Sequence, residues 1–176
     1  ANMSSSVFAL PSATVQIDRP SNAVDDSAPA PMPAELTAST AMHLWFGLMQ
    51  AAIADGADLG TVDSIGYTFL HYACLEGKYS VVEMLVKEKK VEVNMVSDNH
   101  QKILPIHWAA LRGHAKISRF LLDNGAWVDE GDSEGHTPLM KAAQYGQIAA
   151  IRLLLLRGAD IHKPDVHGHQ AIHWAS

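Results

Sequence analysis

Beyond about residue 40 the apolar positions fall into short runs at helical spacing. In Ala149–Leu156, Ile151, Leu154 and Leu155 share one face, three and four residues apart. The run before it, Leu139–Tyr145, carries small alanines that let neighbouring helices approach closely. Gly146 and Gly158 close these two runs, and a glycine past a helix supplies the left-handed residue that ends it. Pro105 and Pro138 stand where a helix would begin, a position at which the missing N–H is no loss. Asp165 with Gly168 gives the turn chemistry of a projecting hairpin. The pattern predicts pairs of short helices with hairpin fingers between them. Residues 1–38 follow neither a helical nor a strand period. They are rich in Ser, Ala and Pro, and cannot bury enough surface to offset ordering entropy. They read as a tail, disordered or docked in extended form.

The predicted units repeat. Tyr67-Thr68-Phe69-Leu70-His71-Tyr72-Ala73 aligns with Ile103-Leu104-Pro105-Ile106-His107-Trp108-Ala109. The same alignment takes in His136-Thr137-Pro138-Leu139-Met140-Lys141-Ala142 and His169-Gln170-Ala171-Ile172-His173-Trp174-Ala175. His71 to His107, His107 to Met140 and Met140 to His173 are steps of 36, 33 and 33 residues. Gly56-Ala57-Asp58, Gly125-Ala126-Trp127 and Gly158-Ala159-Asp160 keep the same phase, as do Gly77, Gly113 and Gly146. No single helix pair buries its apolar face alone, so the units must stack into an all-α solenoid. The long step inserts three residues, one near Lys89-Lys90-Val91 and two near Ser97-Asp98. Lys102 replaces the expected turn glycine and Leu104 the threonine. This predicts a longer second finger, about Met95 to Lys102, with non-standard backbone geometry, and makes it a candidate for function.

Composition removes several classes. The net charge of −6, without a basic run, argues against nucleic acid. One cysteine excludes a disulfide framework and suits a reducing compartment. No stretch is long and apolar enough for a membrane span, and the N-terminus lacks signal-peptide features. What remains is a soluble, intracellular domain with ten histidines. His71 lies three residues before Cys74, but Cys74 occupies a position that needs a small buried residue, so no catalytic pair is expected. His162, His167, His169 and His173 lie close in sequence, yet a zinc site needs four ligands converging on a rigid frame, and none is expected. No cofactor is implied.

Thr137-Pro138-Leu139, the Ala-Ala pairs at 109–110 and 142–143, Gly113-His114 and the Gly-Ala-Asp turns resemble the ankyrin repeat family over residues 41–176. The resemblance implies stacked helix-turn-helix units with projecting β-hairpin fingers: a capping unit at 39–62, repeats at 63–98, 99–131 and 132–164, and an incomplete one at 165–176. It makes His71, His107 and His173 structural. The incomplete unit implies a fragment of a longer protein. The resemblance also implies a module that binds a protein segment on the concave face of its first helices and on its finger tips. The expected contact residues are Tyr67, Tyr72, Glu76, His100, Gln101, Trp108, Arg112, Glu134, His136 and Tyr145. His100, His136, His167 and His169 are expected at exposed tips, and Trp45 and Trp127 in packing.

His-Trp-Ala, with Pro138–Gln147 and Gly168–Ala175, is similar to the ankyrin domains of Asp-His-His-Cys-type palmitoyltransferases. That resemblance implies a substrate-recruiting region without catalysis of its own, on the cytosolic face of a membrane. A stand-alone cytoplasmic adaptor is the alternative. In that subfamily a Trp at the position of Trp108 grips an extended, proline-containing peptide, helped by an Asn where this chain has Glu76. Val15-Gln16-Ile17-Asp18-Arg19-Pro20 is a segment of that kind, expected near Trp108 in cis or from a neighbouring chain.

Overall fold

The computed structural model describes residues 66–175, with 47, 59, 60 and 62 in addition. The tail at 1–38, most of the capping unit at 39–62 and Trp45 lie outside the described residues. The chain groups into two compact units, and the description concerns the one that holds residues 59–176.

Its helices come in pairs. Helix α1 (Phe69–Leu75) precedes α2 (Tyr79–Glu83), which runs on as a π-turn at Met84–Glu88. Helices α3 (Pro105–Leu111) and α4 (Ala115–Asp123) form the next pair, α5 (Pro138–Gln144) and α6 (Ile148–Leu156) the third, and α7 (Ala171–Trp174) opens a fourth. The first helices α1, α3, α5 and α7 pack in succession, and α2, α4 and α6 make a second row behind them. Leu70, Ile106 and Leu139 of the first row and Leu85, Leu121 and Leu154 of the second are all buried. Truncating one of these to alanine costs about 2–5 kcal/mol.

Local chemistry explains each helix start. The Thr68 and Thr137 hydroxyls accept the backbone N–H groups of His71 and Met140 at 3.4 and 3.3 Å. Leu104 has no oxygen to offer, so α3 relies on Pro105 and on Leu104 N–H donating to His107 Nδ1 at 3.0 Å. At the end of α1, Gly77 has φ +72°, and a Cβ there would stand 2.6 Å from the His114 ring. That ring comes from the next pair and reaches the Leu75 carbonyl at 3.2 Å, so this glycine serves both turn and packing.

The fingers are turns with a backbone bond across the base: Ser97 N–H to the Ile103 carbonyl, Asp132 to His136 and Asp165 to His169. One bond links each finger to the one before it: Asp98 N–H to Gly66, Ser133 to Gln101 and Val166 to Glu134. Among the described residues no strand forms, so the fingers are hairpin-like turns without a ladder. The second finger closes from 97 to 103, two residues wider than the closures at 132–136 and 165–169. Ser97 Oγ braces this extra length, accepting Ile103 N–H at 2.8 Å and donating to Asn99 Oδ1 at 2.7 Å. The π-turn and Lys90 at φ +58° lie where the third inserted residue was expected.

Three expectations need correction here. In the first three fingers the residue after the left-handed position turns back onto the first helices, so Tyr67 and His136, expected as contact residues, are buried, as is Ile103, whereas His169 in the fourth finger is exposed. Trp127 was expected in packing, yet it is 50% exposed. Lys102 was expected to bend the finger into new geometry. At φ +52° it instead adopts the left-handed form of Gly66, Gly135 and Gly168, because the closing bonds dictate that turn. A side chain held in that form costs about 1 kcal/mol or more. Lys102→Gly is expected to stabilise the fold by about 0.5–1 kcal/mol, after glycine's added unfolded-state entropy. An upward shift in the urea midpoint checks this; a downward one contradicts it.

Candidate functional site

The position after the motif histidine, together with the residue one turn on, builds the face of the first helices. On α1 these are Tyr72 and Glu76, on α3 Trp108 and Arg112, and on α5 Lys141 and Tyr145. Each pair is four residues apart and shares one helix face. The face divides into two chemistries.

Over α1 and α3 it is aromatic. Tyr67 lies 4.5 Å from Trp108 between ring centroids, and Tyr72 lies 5.8 Å from Trp108, edge to face. His71 joins the cluster at 5.7 Å from Trp108, and Ile103 and Leu75 pack around it. The Tyr67 hydroxyl donates to Gln101 Oε1 at 2.6 Å, tying the cluster to the second finger. Trp108 is only 3% exposed, and its indole N–H is buried without an acceptor. Leaving such a donor unmade costs about 1–3 kcal/mol.

Over α5 the face is ionic. The Lys141 ammonium, buried, lies 3.0 Å from Asp132 Oδ2 and 3.2 Å from His136 Nδ1. Asp132 Oδ1 accepts the N–H groups of Glu134 and His136, which folds the third finger over the pair. Burial alone would raise the Asp132 carboxyl. The hydrogen bond from His136 and the Lys141 charge outweigh it and hold the group far below the usual carboxylate range. In the fourth finger the buried Asp165 repeats this fold, its Oδ1 accepting from His167 and His169 at 2.8 Å each.

Of the ten expected contact residues, His100, Arg112, Glu134 and Tyr145 are exposed, and Tyr72, Glu76 and Gln101 half-buried. Tyr67, Trp108 and His136 are buried, so they offer a partner no open surface as they stand. The structure joins Tyr67, Tyr72, Gln101 and Trp108 in one cluster and places His136 in another. The ionic cluster escaped sequence reading, although Asp132 and Asp165 recur 33 residues apart and Lys141 interrupts a column of aromatics.

The remaining candidates resolve on burial and geometry. Cys74 is fully buried, and burial pushes its thiol up, away from the nucleophilic thiolate. His71 Nε2 donates to the Ile103 carbonyl at 2.9 Å, while its Nδ1 faces Thr68. Among the described residues no group of three or more His, Cys, Asp or Glu side chains is arranged to hold a metal ion; the His167, His169 and His173 rings stand about 6 Å apart in sequence order.

Residues 92–165 and 128–176 match a family model described as "Ankyrin repeats (3 copies)", and residues 41–86 one described as "Ankyrin repeats (many copies)". The chain belongs to the ankyrin repeat family. It is 34% identical over 105 residues to the putative ankyrin repeat protein FPV223 of fowlpox virus, covering 60% of this chain and 71% of that protein. It is 28% identical over 114 residues to ankyrin repeat protein nuc-2 of Neurospora crassa, covering 65% of this chain and 10% of that protein. To palmitoyltransferase AKR1 of Lachancea kluyveri it is 27% identical over 104 residues, covering 58% of this chain and 14% of the enzyme. The chain thus spans a small part of the Neurospora and Lachancea proteins. Ankyrin repeats are protein-interaction modules without catalysis of their own, and this chain is one. Among its described residues no helix is long and apolar enough to cross a membrane.

The ankyrin motif histidine also sets a pH limit. His107 is buried, accepts Leu104 N–H at Nδ1, and donates from Nε2 to the Glu130 and His136 carbonyls at 3.0 Å each. Burial disfavours its charged form and lowers its pKa to about 4, with the Lys141 charge adding to the effect and Asp132 opposing it. An unfolded chain takes up this proton near pH 6.5, so stability is full above that value and falls as pH drops towards 4. The loss is about 3 kcal/mol at most. Urea titrations across this window should show it in the wild type and show less of it in His107→Gln; parallel slopes in the two proteins would contradict the assignment.

Proposed function

We infer that this ankyrin module holds an extended protein segment on its concave face, with the aromatic cluster over α1 and α3 as the anchor. The observation that carries the reading is the Trp108 indole N–H, a buried donor without an acceptor in the middle of an aromatic wall. A partner carbonyl would satisfy it. The half-buried Tyr72 is the side chain that would swing aside to admit one. A proline in the partner lowers the ordering cost, and the rings supply apolar contact. Exposed Arg112 and half-buried Glu76, one turn beyond Trp108 and Tyr72, offer charges to residues flanking the anchor. The second finger joins the face through Gln101, and His100 beside it is exposed.

The finer reading is that the chain recruits substrate for a palmitoyltransferase, on the cytosolic side of a membrane. The His-Trp-Ala motif and the similarity to the Lachancea enzyme support it. The adaptor reading, in the cytoplasm and with an unrelated partner, keeps its own support: FPV223, a relative named only for its repeats, is 71% covered by this chain. Sequence of the gene past Ser176 separates the two. Apolar spans with an Asp-His-His-Cys motif favour the first, and more repeats with a polar cap the second.

Binding itself is tested with a peptide of residues 12–22 added to a chain trimmed of its first 38 residues. Trp fluorescence and NMR shifts are expected to respond at α1 and α3. Trp108→Ala should weaken binding tenfold or more, equivalent to about 1.4 kcal/mol, and Trp108→Phe, which keeps a ring but removes the N–H, should weaken it by less. A silent titration at about millimolar peptide, or full affinity in both variants, would overturn the reading.

A further inference from the structure

Trp174 repeats Trp108 two units further along the stack. Each follows the histidine of its helix motif, on α7 and α3, and each carries a buried indole N–H without an acceptor. Their surroundings differ. Trp108 stands among Tyr67 and Tyr72, whereas Trp174 meets His136 edge to face at 5.0 Å between ring centroids and His169 at 5.9 Å. Both of these imidazoles also approach the buried Asp165. Its Oδ2 lies 3.7 Å from His136 Nε2 and 3.4 Å from His169 Nδ1, and forms a hydrogen bond with neither. Its Oδ1 is already taken by the His167 and His169 amides. The junction of the third and fourth fingers thus holds a buried donor and a buried acceptor, both unsatisfied.

Charge decides which group would complete this arrangement. The Lys141 ammonium is committed to Asp132, 3.0 Å away. Among the described residues no lysine or arginine pairs with Asp165. Burial acts to raise the Asp165 carboxyl, but the His169 and His167 amides outweigh it and hold the group below the usual range. It is a carboxylate at neutral pH, and a buried carboxylate without a cation is costly. A second carboxylate stands at the rim on the exposed Glu134, whose carbonyl accepts the N–H of Val166, the residue after Asp165. The outer side of the junction is open to a partner. The His169 side chain, lying against Oδ2, is 51% exposed, and Val166 and His167 are exposed beside it.

We propose that this junction is a second subsite of the binding face, which takes a lysine or arginine side chain of the bound segment at Asp165 and a backbone carbonyl of that segment at the Trp174 indole N–H. The half-exposed His169 ring swings aside to admit the cation, whose aliphatic stem then lies along the Trp174 and His136 rings. The inference rests on the reading of the first-helix row as a binding face, and it adds a spacing rule. Packed helices lie about 8–10 Å apart, so α3 and α7, two steps apart in the row, are separated by about 16–20 Å. An extended chain covers about 3.3–3.6 Å per residue. The basic residue therefore stands about five or six residues from the one seated at Trp108.

Two short peptides, acetyl-Gly-Arg-Gly-amide and its Gly-Gln-Gly counterpart, titrated into the isotope-labelled full chain and followed by NMR, test this. The Arg peptide should shift the Trp174 indole signal and the His167 and His169 amides at about millimolar concentration, and the Gln peptide should bind about fivefold more weakly or less. Asp165→Asn keeps an acceptor for the two amides but removes the charge, so the preference for Arg should disappear. Trp174→Phe keeps a ring without the N–H, and should weaken both peptides while the preference stays. If Asp165→Asn unfolds the fourth finger, the contrast between the two peptides in the wild type decides alone. Neither peptide is long enough to span both tryptophans, so a silent result here leaves the anchor over α1 and α3 standing. No shift at about ten millimolar, equal shifts from both peptides, or an Arg preference that survives in a folded Asp165→Asn would overturn the subsite.

Discussion

A single buried imidazole, used at both nitrogens, fixes how one repeat sits on the next. In His107, Nδ1 accepts the N–H at the start of its own helix, and Nε2 donates to carbonyls at the end of the preceding outer turn and in the next finger. His71 serves the first junction in the same way. One ring thus caps a helix and sets the spacing between fingers. Only the neutral ring with its proton on Nε2 fits, since a charged ring has no acceptor. Burial keeps the His107 ring neutral by desolvation.

The face follows from that constraint. The motif histidine faces the interior of the stack, so the residue after it stands at the edge of the first-helix row, where Tyr72, Trp108 and Lys141 line up. Where the imidazole is present on both sides, between α1 and α3, the residues beside it form an aromatic wall. Where Met140 takes its place, the junction is carried by charge, through Asp132, Lys141, His136 and Asp165. The same scaffold therefore carries an apolar half and a charged half.

Much of this was legible in the sequence. Three signatures in one phase give the helix pairs, because each records a fixed geometric need: proline at a helix start, alanine where helices touch, glycine where the backbone turns left-handed. The three inserted residues were also legible, since the step of 36 exceeds its neighbours. Burial at the finger bases was not. Ile103 and His136 stand next to turn residues, and only the closing bond shows that the chain folds back there. Lys102 looked like a change of geometry because propensity disfavours it, yet the backbone bonds around it outweigh the cost. The ionic cluster was hidden for another reason. Its members come from two fingers and a helix, and in one dimension each has a simpler explanation as turn or surface.

The account depends most directly on the charge and tautomer of His107 in the folded chain. Ring nitrogen shifts of that residue, followed by NMR from near pH 7 down to near pH 5, report both at once. The account predicts a ring that stays neutral across this range, with its proton on Nε2. A ring that titrates near the ordinary value of about 6.5, or one carrying its proton on Nδ1, would contradict it.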